Sequence, residues 1–178
     1  MSLATLTISG RAAIAKAIAS QVLHLAWGYG EPEWDSDPDQ NHLKTTLIHK
    51  TALDHEVGRR LVTFVGFVTP DEAGDITIPI GRQSDGTVEV ARYLSCLTPT
   101  PYLYMRVNFD YDDANDQIIR EVGIFMDTRV KAELPPGQRY FLPADLTDPG
   151  QLLAIQRLDP VIKRSPAVRQ TFEFVLPI

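Results

Sequence analysis

YLYMRVNFDYDDANDQIIREVGIFMD, Tyr102 to Asp127, is the stretch on which the reading of this chain turns. Leu103, Met105, Val107, Phe109 and Tyr111 fall on one side of an alternating pattern, with Tyr104, Arg106, Asn108 and Asp110 on the other. That period of two belongs to a strand with one buried face. Asp112-Asp113-Ala114-Asn115-Asp116 is rich in side chains that bond to nearby backbone and favour turns. The chain then returns through Ile118, Ile119, Val122, Ile124, Phe125 and Met126. The whole stretch therefore predicts one long β-hairpin with a solvated acidic tip.

Towards the N-terminus, Thr7 to Gln21 predicts an Ala-rich helix capped by Ser9, with Ile14, Ala17 and Ile18 at helical spacing. Such a helix has high intrinsic propensity but a thin apolar stripe, so it needs a sheet to lean on. A short strand over Val22 to Trp27 follows, ended by Gly28-Tyr29-Gly30. Glu31 to Lys44 carries two prolines, five acids and no apolar period, and reads as a long surface loop. Strands are expected over Leu61 to Thr69, Asp75 to Ile80 and Thr87 to Leu97. Beyond the hairpin, Arg139 to Leu142 and Leu152 to Leu158 are strand candidates, and Asp159 to Pro166 a proline-flanked connector. Gln170 to Leu176 alternates cleanly. The fold class is α+β, loop-rich: a mostly antiparallel sheet with one N-terminal Ala-rich helix packed on it. Residues 1–142 are expected to form the main domain, and 143–178 a C-terminal β extension of it or an arm onto another subunit.

Composition limits the functional classes. In 178 residues, 44% hydrophobic and 22% charged, there is room for one well-buried domain. A net charge of −6 without a basic patch makes a nucleic-acid partner an unsuitable one. No apolar run approaches the roughly 18 residues of a membrane span. The N-terminal residues lack a signal-peptide pattern, so cytoplasmic synthesis is expected. A single cysteine, Cys96, excludes an internal disulfide and is expected to be a buried structural thiol.

Chemistry-bearing motifs are sparse. His24, His42, His49 and His55 have no metal-ligand spacing. Asp35-Ser36-Asp37-Pro38-Asp39 begins like a calcium loop, but Gln40 stands where glycine is needed and Thr46 where the bidentate glutamate is. There is no Gly-x-Ser-x-Gly elbow, no dinucleotide loop and no phosphate loop. The reading is no catalytic residues, no metal and no cofactor. Aromatic residues offer more: Trp27, Tyr29 and Trp34 bracket the acidic loop, and Tyr102 and Tyr104 open the hairpin. They are candidate interface anchors, with closure of a small core as the alternative. Arg59, Arg60, Arg120, Glu121 and Gly123 form a candidate framework. In it Glu121 pairs with Arg59, Arg60 or Arg120, and Gly123 admits a neighbouring backbone.

Three blocks, in order, resemble a known family. Ile8-Ser9-Gly10-Arg11-Ala12-Ala13-Ile14-Ala15 followed by Val22 to Gly30 is similar to the opening of phage tail-collar and tail-fibre N-terminal domains. Thr51 to Arg60 is similar to that family's segment leading into a strand, although His55 stands where asparagine is common. Ile119-Arg120-Glu121-Val122-Gly123-Ile124-Phe125 resembles its Glu-hydrophobic-Gly-hydrophobic-Phe strand. The resemblance implies a non-enzymatic structural protein of the virion tail, at the baseplate or tail tip. Its implied partners are other tail and baseplate proteins and the tail fibre, and its implied state is a homo-oligomer in the particle. A carbohydrate- or receptor-binding module using Trp27, Trp34 and the acidic loop is the alternative. A small hydrolase or metal enzyme built on His49 and His55 stands third.

Overall fold

The structure, a computed structural model, describes residues 4–36, 47–82 and 87–178. An α-helix, α1 (Ile8–Ala19), comes first. The strands in chain order are β1 (Leu23–Gly28), β2 (Glu56–Leu61), β3 (Phe64–Pro70), β4 (Ile76–Arg82), β5 (Val88–Cys96) and β6 (Tyr102–Phe109). After them come β7 (Ile118–Met126), β8 (Arg129–Val130), β9 (Tyr140–Phe141), β10 (Leu146–Asp148), β11 (Gln151–Lys163) and β12 (Gln170–Pro177). They make two compact units that the chain enters alternately. One takes the described residues of 1–21, 63–107 and 171–178, the other those of 22–62 and 108–170.

The first unit holds α1 and a five-stranded sheet in the order β12-β6-β3-β5-β4. Thr7, not Ser9, caps the helix: its backbone is extended and its Oγ1 accepts the Gly10 N–H at 3.1 Å. Ser9 lies one residue inside the helix, where its oxygen cannot serve the first turn's donors. Ala15 is the helix's one buried residue, while Ile8 and Ile14 stay 76% and 41% exposed. In the sheet, β3 pairs antiparallel with β5 and β6, and β4 with β5. Val68, Ile78 and Tyr104 form a buried cluster there, supported by Ile76, Tyr93, Tyr102 and Val175.

The second unit is built on a sheet in the order β11-β7-β1-β2-β9, with a small β10-β8 pair beside it. Two of its three inner strands are buried on both faces: every residue of β1, and Ile119 to Phe125 of β7. That explains why β7 reads as an apolar run and not as an alternation. Residues 151–163 pair antiparallel with β7, past the expected end at Leu158 and through part of the expected connector.

Tyr102 to Asp127 is not a hairpin. β6 pairs with β3 in one sheet, and β7 pairs with β1 and β11 in the other. Of the acids expected in a solvated tip, Asp112 and Asp116 are exposed, but Asp113 is not. Asp113 is buried, its carboxylate accepting from the Asp110 N–H at 2.7 Å and from Arg60. Buried Arg164 donates to the backbone carbonyls of Asp113 at 3.1 Å, Asp110 at 2.7 Å and Val168 at 2.9 Å. Ala114 and Asp116 take positive φ of 49° and 60°. A connection held this firmly has no need of strand pairing across it. The expected strand over Leu61 to Thr69 is divided in the same way, β2 ending at Leu61 and β3 starting at Phe64 in the other sheet.

Candidate interface surfaces

The framework charges lie in the second unit, and each arginine there has a different acid. Arg59, with 0% exposure, donates twice to Glu56, at 2.8 and 2.7 Å. Its Nη1 reaches Thr128 Oγ1 at 2.7 Å and the Pro149 carbonyl at 2.6 Å, and its guanidinium lies 4.0 Å above the Phe125 ring. Arg60 goes to Asp113. Arg120 meets Asp35 in a two-point pair at 2.8 and 2.8 Å, a geometry that suits a planar guanidinium. Its hydrogen bond holds the Asp35 carboxyl below the usual carboxylate range.

Glu121 pairs with none of Arg59, Arg60 or Arg120, contrary to the expectation. Strand register is the reason. Arg120 and its neighbour Glu121 project to opposite faces of β7. Glu121 instead shares a row with Gly28 of β1 and Arg157 of β11. The β1–β2 register slips between Trp27 and Gly28, which brings Glu56 rather than Glu121 to Arg59. Glu121 is fully buried, and its Oε1 accepts the Asp54 N–H. Burial pushes its carboxyl up to about 7. His24, also buried, is moved the other way, to about 4, by burial and by the Arg59 charge. Gly123 faces its own chain: a Cβ there would meet Leu152 Cδ1 at 2.8 Å and Leu53 Cδ2 at 3.0 Å.

The aromatic candidates divide by exposure. Trp27 is wholly buried, stacked on Phe109 at 3.5 Å with its Nε1–H donating to the Tyr140 hydroxyl at 3.2 Å, so it has no surface to offer. Tyr104 is buried as well, its hydroxyl donating to Glu173 at 2.6 Å. Tyr102 is half-buried beside Tyr93. Tyr29 is 36% exposed and donates to Gln117 Oε1 at 2.5 Å. Trp34 is half-buried in the 3₁₀ turn Pro32–Ser36, with the Arg157 guanidinium 3.8 Å from its ring centre. Cys96, expected buried, is half-buried. His42 and the 37–46 part of the acidic loop lie outside the described residues.

Among the described residues, a groove and a cleft are each contained within one unit. In the first unit a groove of about 960 Å³ runs along α1, floored by Ala12, Ala13, Pro99, Pro101 and Pro177. Arg11 crosses it to donate to the Ile178 carbonyl at 2.6 Å. In the second unit a cleft of about 310 Å³ is walled by Trp34, Arg120, Arg157, Asp159 and Lys163. Sequence reasoning missed Arg157, Arg164 and Tyr140. Arg164 and Arg157 sit in stretches taken for a connector and for a plain strand, with no periodic signal to mark them.

Residues 3–178 match a family described as baseplate wedge 3 tail fiber network component. The chain belongs to that family. Among curated proteins none matches it. Membership of the baseplate wedge family makes this a component of a phage tail, in line with the resemblance of the N-terminal, Thr51–Arg60 and Ile119–Phe125 blocks.

Proposed function

We propose that the chain is a non-enzymatic structural protein that joins the body of the phage tail to its tail fibres through protein–protein contacts. It does so in several copies per particle, without a nucleic-acid partner and without membrane insertion. The family match over almost the whole chain carries this reading. The framework arginines support it, since they are spent on ion pairs and backbone carbonyls of their own chain, as a scaffold requires. The carbohydrate- or receptor-binding alternative has less aromatic surface to draw on, because Trp27 is buried and Arg157 covers one face of Trp34.

Electron cryo-microscopy of intact particles, beside particles made without this chain, tests the proposal. Density for the chain at the baseplate–fibre junction, and tails that lack fibres in its absence, are expected. Fibres attached normally in its absence would overturn it.

A further inference from the structure

We infer that the groove along α1 in the first unit receives an amphipathic helix with an acidic flank, presented by a neighbouring tail protein. The inference rests on the structural role proposed above and names the chemistry of one of its contacts. At about 960 Å³ the groove has room for several side chains at once. The bond from Arg11 to the Ile178 carbonyl ties its two sides together, so the groove is formed before a guest arrives.

The apolar surface calls for a cover. Of the twelve residues of α1 only Ser9, Arg11 and Lys16 are polar, yet only Ala15 is fully buried. A helix apolar on nearly every side is ordinarily an interior one. Here Ile8 stands 76% exposed in the groove's lining, and Ala12, Ala13, Pro99, Pro101 and Pro177 continue the apolar surface. The short side chains of Ala12 and Ala13 allow a second helix axis to approach to about 8–10 Å.

Charge gives the guest its sign. The lining holds two cationic side chains, Arg11 and Lys16, and no acidic one, in a chain of net charge −6. Both are exposed, so a guest can reach them. Arg11 spends one donor on the Ile178 carbonyl, and no acidic side chain of the lining pairs with Lys16. Charges at such a rim add little affinity, but they select partner and orientation. The apolar floor supplies the binding and the cations choose who binds.

Backbone accounting gives the guest its form. In the part of the lining that α1 does not supply, Pro99, Pro101 and Pro177 have no N–H to offer. The N–H groups of Tyr102 and Ile178 are already bonded within the chain, to Thr100 Oγ1 at 3.3 Å and to the Pro101 carbonyl at 2.9 Å. An extended guest would find no ladder of donors there, whereas a helix brings its own backbone bonds satisfied. The α1 of a second copy does not fit, since it carries Arg11 and Lys16 and no acid, and would set like charges together. The guest is a helix of another chain, apolar on one face, with an aspartate or glutamate at its edge.

The test joins electron cryo-microscopy of intact particles, at side-chain detail, to complementation of particles made without this chain. A helix of another protein in the groove, with a carboxylate within about 4 Å of Lys16 Nζ, is expected. Ala13→Trp, which fills the groove, and Lys16→Glu, which reverses its charge, should each lower incorporation of the chain into particles about tenfold. Lys16→Arg should incorporate like the parent, and so should Ala17→Trp, which lies exposed on α1 outside the groove. Thermal melts of the purified variants separate lost docking from lost folding, and where a variant melts early the density decides alone. An empty groove, or one holding an extended segment, a nucleic acid or a second copy, would overturn the inference, as would normal incorporation of Ala13→Trp or Lys16→Glu. If the chain sits at the baseplate–fibre junction with its groove empty, the groove reading alone fails. If fibres attach normally without the chain, the structural role fails first.

Discussion

Arg59 and Glu56 lie three residues apart on β2 and meet at two points, 2.8 and 2.7 Å, with the arginine side chain wholly out of solvent. This pair ties β2 to Thr128 and Pro149 on the far side of the sheet through the remaining arginine donors. Removing one partner from such a pair leaves a buried charge without its counter-charge. Glu56→Gln should therefore lower unfolding stability by about 3 kcal/mol. Urea denaturation checks it. A loss under about 1 kcal/mol would mean that water reaches Arg59.

The pH profile should hide two opposing titrations. The folded value of about 7 for Glu121 lies above its ordinary 4.5, so its contribution to stability is full below about 4.5 and is lost as pH rises through about 7. The folded value of about 4 for His24 lies below 6.5, so its contribution is full above about 6.5 and is lost as pH falls through about 4. Between those limits the two slopes oppose each other. Glu121→Gln should be more stable than the parent at pH 8 by about 2–3 kcal/mol and should show only the acid-side loss. Denaturation at a series of pH values reads both. An unchanged profile would show Glu121 ionised in the folded chain.

Two glycines of the second unit should respond to alanine to different degrees. At Gly123 the new Cβ presses on the flexible ends of Leu152 and Leu53 and meets the Ala154 carbonyl oxygen at an ordinary 3.4 Å, so Gly123→Ala should cost within about 1 kcal/mol. At Gly150 the backbone has φ +74° and the Cβ would sit 2.1 Å from the Met126 carbonyl oxygen. Gly150→Ala should cost about 3 kcal/mol, because backbone cannot step aside. Thermal melts of the two variants give the comparison. A costly Gly123→Ala would return weight to Gly123 as a point of close approach.

The helix cap gives the last test. Thr7→Ala should weaken the first turn of α1 by about 1 kcal/mol, seen as faster amide exchange at residues 9–11. Ser9→Ala should leave exchange there unchanged. The reverse pattern would make Ser9 the cap.

What the sequence made legible was local. Leu103, Met105, Val107 and Phe109 are all buried in β6, joined there by Tyr104, and the apolar run from Ile118 to Met126 is β7. Partnership was not legible. Hairpin reasoning joins strands that are near in sequence, and here the two go to separate sheets. What separates them is Arg164, fifty-one residues from Asp113, and sequence spacing carries no mark of so distant a donor. Tyr111 shows the same limit, continuing the pattern of β6 in sequence yet lying 44% exposed once the strand has ended. Among site residues, Arg59 and Glu121 were visible as charges inside apolar strands, but their partners follow from a register slip at Gly28 that no composition signals. Ser9 and Thr7 are both good caps by residue type, and only backbone geometry chooses between them.

The chain passes between its two units at four points, after Gln21, Val62, Val107 and Gln170. Neither unit is therefore an inheritable cassette. A single recombination crossover between related phages would in most positions give a protein with parts of both units from each parent, and their cores would have to agree at once.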